Sequence, residues 1–122
     1  MDIILIWRFV RADREGEFLE AYQKEQPSNN PDFAGETLTR LNSQSALPPS
    51  LLSAEEAPPD SITYLNIARW RSWEAFAAHF GLDAQHYDPQ RFDSELETAP
   101  RRRLVLSEIL WRVGPANGEA AP

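Results

Sequence analysis

The chain has 122 residues, of which 42% are apolar and 25% are charged, so one globular domain with its own core is expected. Its formal net charge of -7 argues against a nucleic-acid or anionic-membrane partner, because both bind basic surfaces. The chain contains no cysteine, which excludes disulfides, thiolate metal sites and cysteine nucleophiles.

The amino-terminal stretch "MDIILIWRFV" is apolar but short. It carries Asp2 where a signal peptide has a positive charge, and Arg8 interrupts the apolar run. No segment approaches the roughly 18 apolar residues of a membrane span. We therefore expect a soluble, cytoplasmic protein.

Residues 2–12 predict a strand whose two faces are both largely apolar. One face carries Ile3, Leu5, Trp7 and Phe9, and the other carries Ile4, Ile6, Arg8 and Val10. Asp13 is a typical N-cap for a following helix that runs to about Lys24. Its apolar stripe consists of Phe18, Leu19 and Tyr22.

Residues 33–42 predict a second strand, and residues 62–71 predict a third. The segment between them, 43–61, contains four prolines and lacks periodicity. A loop of this length is unusual in a compact domain. We therefore interpret 43–61 as a mobile hairpin insertion between the two strands, or as an arm that docks on a partner.

Ser72 is a candidate N-cap for a second helix from Trp73 to Phe80, which Gly81 ends. Trp73, Phe76, Ala77 and Phe80 recur at helical spacing and predict a buried stripe. Residues 82–99 predict short helical turns, and residues 101–113 predict the last strand. The run Arg101 to Arg103 is typical of a solvated strand edge, and residues 114–122 predict a disordered tail.

The order strand, helix, strand, strand, helix, strand is that of a ferredoxin-like α+β domain spanning residues 1–113. In this fold a four-stranded antiparallel sheet carries both helices on one face. The other face is also apolar here and needs a cover. A second copy of the same sheet is the simplest cover, so we expect a homodimer.

Four segments, the first strand, "EFLEAY", "FAGETLTRL" and "ARWRSWEAFAAHF", resemble the antibiotic biosynthesis monooxygenase-like domains of the dimeric α/β-barrel group. The resemblance spans roughly residues 2–113. Its most specific part is Trp70, Ser72, Glu74, Ala75 and Phe76. The resemblance implies a dimeric barrel and a small-molecule site. Members include cofactor-independent quinone-forming monooxygenases, haem-degrading monooxygenases and proteins without an established role.

The branch that acts on aromatic polyketides implies a site with an asparagine and a tryptophan four residues apart on the third strand. Asn66 and Trp70 match this spacing, which places both on one face of a strand. The branch also has a tyrosine on the next helix, where this chain has Phe76. Tyr64 and Tyr87 are the candidate replacements for its phenol.

The haem-degrading branch implies an asparagine on the first strand, a tryptophan on the second helix and a histidine about ten residues later. Those places hold Trp7, His79 and His86 here, so only His86 matches. His79 and His86 with Asp83 are too few ligands to indicate a metal site.

The resulting hypothesis is oxygenation of a small aromatic or polyketide-like substrate without a bound cofactor. Asn66 would hydrogen-bond the substrate oxygen, Trp70 would supply an aromatic wall with a donor, and His79 is a candidate base. Trp7, Tyr64, Phe76, His86 and Tyr87 are candidate substrate contacts. The alternatives are a non-catalytic binder of small molecules and a haem-handling protein.

Overall fold

The computed structural model describes residues 1–25, 27, 29–41, 58–82 and 88–116. The elements in chain order are the strand β1 (Asp2–Arg11), a short 3-10 helix (Ala12–Arg14), the helix α1 (Glu15–Lys24), the strands β2 (Phe33–Arg40) and β3 (Ser61–Trp70), the helix α2 (Trp73–Phe80) and the strand β4 (Arg102–Ser107). Most of the predicted insertion, together with His86, Tyr87 and the end of the predicted tail, lies outside these residues.

The four strands form one sheet in the order β2-β3-β1-β4, and all neighbours are antiparallel. This order and the two helices that follow β1 and β3 define the ferredoxin-like α+β fold. The predicted fold class is confirmed. The two long central strands pair over ten residues each, from Asp2 with Trp70 to Arg11 with Ser61.

The predicted ends of two elements were wrong. Asp13 lies inside the 3-10 helix, and α1 begins with Arg14 at the N-cap position and no side-chain cap. The last strand ends at Ser107, not at residue 113. Ser107 pairs with Asp2, the first residue of β1, and the Glu108 amide donates a hydrogen bond to the Met1 carbonyl.

The ends of α2 agree with the prediction. The Ser72 hydroxyl accepts a hydrogen bond from the Ala75 amide across 3.1 Å, and Gly81 ends the helix at a φ of 69°, where glycine is favoured. Phe76 and Ala77 are buried as expected. The predicted burial was wrong for Phe80, the last helical residue, which is 48% exposed although its ring lies near those of Trp70, Phe76 and His79.

Pairing register determines which residues face the helices. Ile4, Ile6 and Arg8 lie opposite Ala68, Asn66 and Tyr64, so these six side chains share the helix-covered face. The buried residues there form two apolar clusters. The first contains Ile4, Ala68, Trp70 and Phe76, and the second contains Val10, Phe18 and Tyr64.

The opposite face of the sheet, called the open face below, carries apolar side chains from three strands. They are Ile3, Leu5, Trp7, Leu65, Ile67, Leu104 and Leu106. Leu104 is 48% exposed and Leu106 is 41% exposed. Within the described residues, no helix has the length and apolar character needed to cross a membrane.

Candidate functional site

Asn66 occupies the centre of the helix-covered face. It lies in the middle of β3, opposite Ile6 on β1 and Leu38 on β2. Its neighbours on this face of the strand, Tyr64 and Ala68, belong to different apolar clusters. The amide is therefore placed at the boundary between the two clusters, where only 3% of the residue is exposed.

Three polar side chains meet at this boundary. The Nδ2 atom of Asn66 donates to the Tyr22 hydroxyl oxygen across 2.6 Å and to Oε2 of Glu36 across 3.2 Å. The Tyr22 hydroxyl also hydrogen-bonds with the Glu36 carboxylate. Both amide hydrogens of Asn66 therefore have acceptors. We call Tyr22, Glu36 and Asn66 the polar triad.

Tyr22 reaches the triad from α1. It lies one turn after Phe18, which is a buried member of the second cluster, and this spacing puts both rings on the inner face of the helix. Burial, followed by the charge of Glu36 and the hydrogen bond with it, raises the pKa of Tyr22 well above its ordinary value. The phenol therefore stays protonated and can donate at any physiological pH.

Arg8 adjoins the triad from β1. Its guanidinium carbon lies 4.6 Å from the centre of the Phe18 ring and 5.9 Å from that of Tyr22. Its Nε atom donates to Oε1 of Glu97 across 3.1 Å. Burial and the nearby charge of Arg101 lower the pKa of Arg8, and Glu97 only partly offsets them.

Glu97 is fully buried and binds two arginines. Arg101 contacts both of its carboxylate oxygens at 3.2 Å, while Arg8 contacts one. The predicted solvated edge at the arginine run was therefore wrong for Arg101, which is anchored to a buried carboxylate. Arg103 lies opposite Ile6 and so faces the same side of the sheet as Asn66.

Trp70 shares the face of Asn66, as predicted, but its contacts are different. It is 1% exposed and packs against Phe33, Phe76, His79 and Phe80, with ring centroids 5.2 to 6.1 Å away. Four residues along a strand correspond to roughly 13 Å, so Trp70 and Asn66 cannot contact the same small group. Ala68 lies between them on this face.

His79, the candidate base, is an exposed residue at the end of α2. Its Nδ1 atom lies 2.9 Å from Nδ2 of Asn30, whose Oδ1 atom accepts from the Asp32 amide. The Asn30 amide group therefore donates to an unprotonated Nδ1. This histidine joins the loop before β2 to α2 and lies with Trp70, not with the triad.

The remaining candidates fall in separate places. Tyr64 lies on the correct face, but its hydroxyl donates to Glu15, and burial followed by this bond raises its pKa to about 12. Phe76 is buried against Trp70. Trp7 pairs with Leu65 on the open face, since its neighbour Ile6 pairs with Asn66. His86 and Tyr87 lie outside the described residues.

Sequence reasoning missed two members of the triad. Tyr22 was assigned to an apolar stripe, because helical periodicity does not register a hydroxyl. Glu36 alternates with Leu38 along β2, and this alternation indicates that it shares an inward face with an apolar residue. This alternation is the sequence signal from which an inward-facing Glu36 could have been predicted.

The described residues do not fit the haem set that the resemblance implies. Trp7 stands where the haem-degrading branch has an asparagine on the first strand, and it points to the open face. His79 stands where that branch has a tryptophan on the second helix, and it is exposed and hydrogen-bonded to Asn30. In the described part of the chain no group of three or more His, Asp or Glu side chains is arranged to hold a metal ion.

The comparisons with known proteins add structural neighbours. No protein-family model and no curated protein matches the chain. The solved structures that match include the haem degrader MhuD of Mycobacterium tuberculosis with two haems in its active site, at 19% identity, a TM-score of 0.47, and coverage of 92% of this chain and 99% of that one. They also include an MhuD mutant with two manganese protoporphyrin IX molecules per active site, at 21% identity, a TM-score of 0.45, and coverage of 92% and 98%. The fold assignment rests on strand order and does not depend on these modest scores.

Proposed function

We propose that this protein binds a small aromatic or polyketide-like molecule between the sheet and the helices and oxygenates it without a bound cofactor. One observation carries the proposal. A buried amide, a phenol and a carboxylate hydrogen-bond one another between two clusters rich in aromatic residues. Polar groups of this kind in an apolar surrounding are typical of sites that orient a ligand. In this proposal Tyr22 supplies the phenol that the polyketide branch carries on its second helix, at the position of Phe76.

The reaction is the conversion of a phenolic ring to a quinone. The substrate loses its hydroxyl proton and a ring hydrogen, and molecular oxygen is the oxidant. One oxygen atom becomes the new carbonyl oxygen, and the other leaves as water. The substrate supplies all the electrons, so the chemistry needs no resident redox group.

Each triad member has a role in this proposal. Glu36 accepts the proton of the substrate hydroxyl, because it is the carboxylate of the group. Asn66 and Tyr22 then donate hydrogen bonds to the resulting anion, whose oxygen replaces the Tyr22 oxygen as acceptor for Asn66. Donors fixed before reaction stabilise developing negative charge without reorganising. Glu36 takes the base role in place of His79, which is exposed and lies with Trp70.

The distance between Asn66 and Trp70 favours a ligand of two or three fused rings. A ring system of that length would place its oxygen at Asn66 and its far ring over Ala68 towards Trp70. The indole and the rings around it would supply an apolar wall there. In this arrangement Asn66 and Trp70 both contact the ligand, as the sequence predicted, but they contact different parts of it.

A non-catalytic binder is the second candidate, and the triad itself favours it. Both hydrogens of Asn66 already have protein acceptors, so the ligand must displace one of them. A binding protein needs that exchange only once, whereas an enzyme needs it in every turnover. The same residues would then recognise the ligand without activating it.

The test begins with a mass-spectrometric search of the purified protein for a bound aromatic compound. Anthrone, a three-ring ketone whose enol form is a phenol, is then titrated anaerobically and afterwards mixed with oxygen. We expect saturable binding, oxygen uptake above the uncatalysed rate and formation of anthraquinone. Tyr22→Phe and Asn66→Ala should reduce the catalysed rate. Thr39→Val, which also removes a hydroxyl hydrogen bond, is the matched control on the open face.

The outcomes separate the candidates. Binding without oxygen uptake supports the non-catalytic binder. Binding and turnover that survive both triad substitutions contradict the proposed site. Absence of binding to folded protein contradicts the proposal as a whole for this ligand class, and tight binding of haem, followed by its Soret absorbance, would replace it with the haem-handling alternative.

A further inference from the structure

Two arginines and one buried carboxylate form a positively charged group beside the polar triad. Arg8 and Arg101 share Glu97, whose side chain is 1% exposed. One negative charge therefore balances two positive charges. We call these three residues the arginine pair site.

The excess positive charge lies in a largely buried part of the protein, where a charge raises the free energy. The side chain of Arg8 is 13% exposed, and Arg101 is close enough to oppose its charge. Like charges held together out of water raise the free energy of the unliganded state. An anion bound beside Arg8 would relieve this repulsion, whereas a neutral ligand would not.

The surroundings of Arg8 are aromatic. Its guanidinium group covers the Phe18 ring at 4.6 Å, and the neighbouring Tyr22 ring belongs to the triad. The contact with Glu97 through Nε fixes the plane of the guanidinium group. A fixed guanidinium group is well suited to a carboxylate, because its planar donors match two oxygens.

We propose that the ligand of this site is an aromatic carboxylate whose carboxyl group binds Arg8 while its ring system lies against the triad. The inference rests on the proposed function, since it names the ligand class of the same site. Glu97 is a positioning residue here: it holds Arg8 and Arg101 and does not touch the ligand. The net charge of -7 repels anions from the protein as a whole, so recognition has to be local.

The test uses two probes of the same shape, 1-naphthoate and its uncharged amide 1-naphthamide. Calorimetric titration of the full-length protein should show binding of the carboxylate about tenfold tighter than that of the amide. Arg8→Gln should remove this preference, and Arg8→Lys should retain part of it. Arg101→Gln, at a more exposed position, provides a second reduction of charge if Arg8→Gln does not fold.

Arg71→Gln is the matched control, because its side chain is 75% exposed and pairs with Asp32. It lowers the net charge equally and should leave the preference unchanged. The inference is overturned if the two probes bind wild-type protein equally, if the preference survives both Arg8→Gln and Arg101→Gln, or if Arg71→Gln also abolishes it.

The result also separates this inference from the proposed function. If both probes bind with equal affinity and Asn66→Ala weakens both, the aromatic site stands and the arginine pair site does not select its ligand. If neither probe binds to folded wild-type protein, the carboxylate inference fails, and anthrone binding decides the proposed function independently.

Discussion

The Asn66 side chain donates to the Tyr22 hydroxyl across 2.6 Å and so connects the centre of β3 to α1. The sequence predicted that the Asn66 amide hydrogen-bonds a substrate oxygen. The structure gives Asn66 two partners, and the triad is therefore a structural element as well as a candidate site.

Asn66→Ala should consequently destabilise the fold. It leaves the Tyr22 oxygen and the Glu36 carboxylate without a buried donor, which costs about 1–3 kcal/mol of unfolding free energy. Urea denaturation measures this loss. In a double-mutant cycle with Tyr22→Phe, the coupling should amount to about 0.5–3 kcal/mol. Strictly additive effects would show that the two side chains do not interact.

Glu97→Gln should be among the more destabilising substitutions in the chain. It removes the buried charge that holds Arg8 and Arg101, and breaking such a pair costs about 3–5 kcal/mol when both partners are buried. The cost should lie at the lower end here, because 33% of the Arg101 side chain is exposed. Glu17→Gln is the control: it breaks an exposed pair with Arg14 and should change stability by about 0–1 kcal/mol. Similar denaturation midpoints for the two variants would contradict this account of Glu97.

The Glu15–Tyr64 hydrogen bond predicts a pH dependence of stability. This bond, followed by the one from Arg40, lowers the pKa of Glu15 in the folded protein. Its contribution is therefore present above the unfolded pKa of about 4.3 and is lost as pH falls through the lowered folded value. Tyr64→Phe should flatten this acid limb in urea titrations between neutral and acidic pH. An unchanged acid limb in this variant would contradict the role given to the bond.

Tyr64 predicts the alkaline limb with the opposite sign. Its folded pKa of about 12 lies above the ordinary value of 10.0, so its stabilisation is complete below pH 10 and is lost as pH rises towards 12. Ultraviolet titration of phenolate absorbance in the folded protein should show that Tyr64 and Tyr22 both ionise late. In Tyr64→Phe the component that titrates near pH 12 should disappear, whereas an unchanged titration would contradict its assignment to Tyr64.

The open face predicts a homodimer. Its apolar side chains include Leu104, which pairs with Leu5 and is 48% exposed. Sedimentation at micromolar concentration should give about twice 13.9 kDa. Leu104→Glu should produce a folded monomer, while Ala78→Glu on an exposed part of α2 should not. A monomeric wild-type protein would contradict the proposal that a second copy of the sheet covers this face.

Much of the fold follows from local sequence patterns. Alternation predicted that Ile6 and Trp7 point to opposite faces, and the spacing of Asn66 and Trp70 predicted a shared face. Ser72 and Gly81 predicted the ends of α2. These features depend on neighbouring residues, for which period and capping are sufficient.

The candidate site depends on contacts between distant parts of the chain. Asn66 meets Tyr22 and Glu36 across 44 and 30 residues. Their meeting requires the register of two strand pairs, including an irregularity between Phe33 and Gly35 on β2. No local pattern specifies that register. The same reason explains why Trp7 was grouped with Asn66.

The most direct measurement of the central claim is the nuclear magnetic resonance signal of the Asn66 side-chain amide. The resonance is assigned by its loss in Asn66→Ala, and the protein is titrated anaerobically with anthrone. Binding at the triad predicts a saturable shift of this signal and of the Tyr22 ring, with the backbone of Leu104 on the open face unaffected. Saturable binding that shifts open-face residues and leaves the Asn66 amide unchanged would contradict the account.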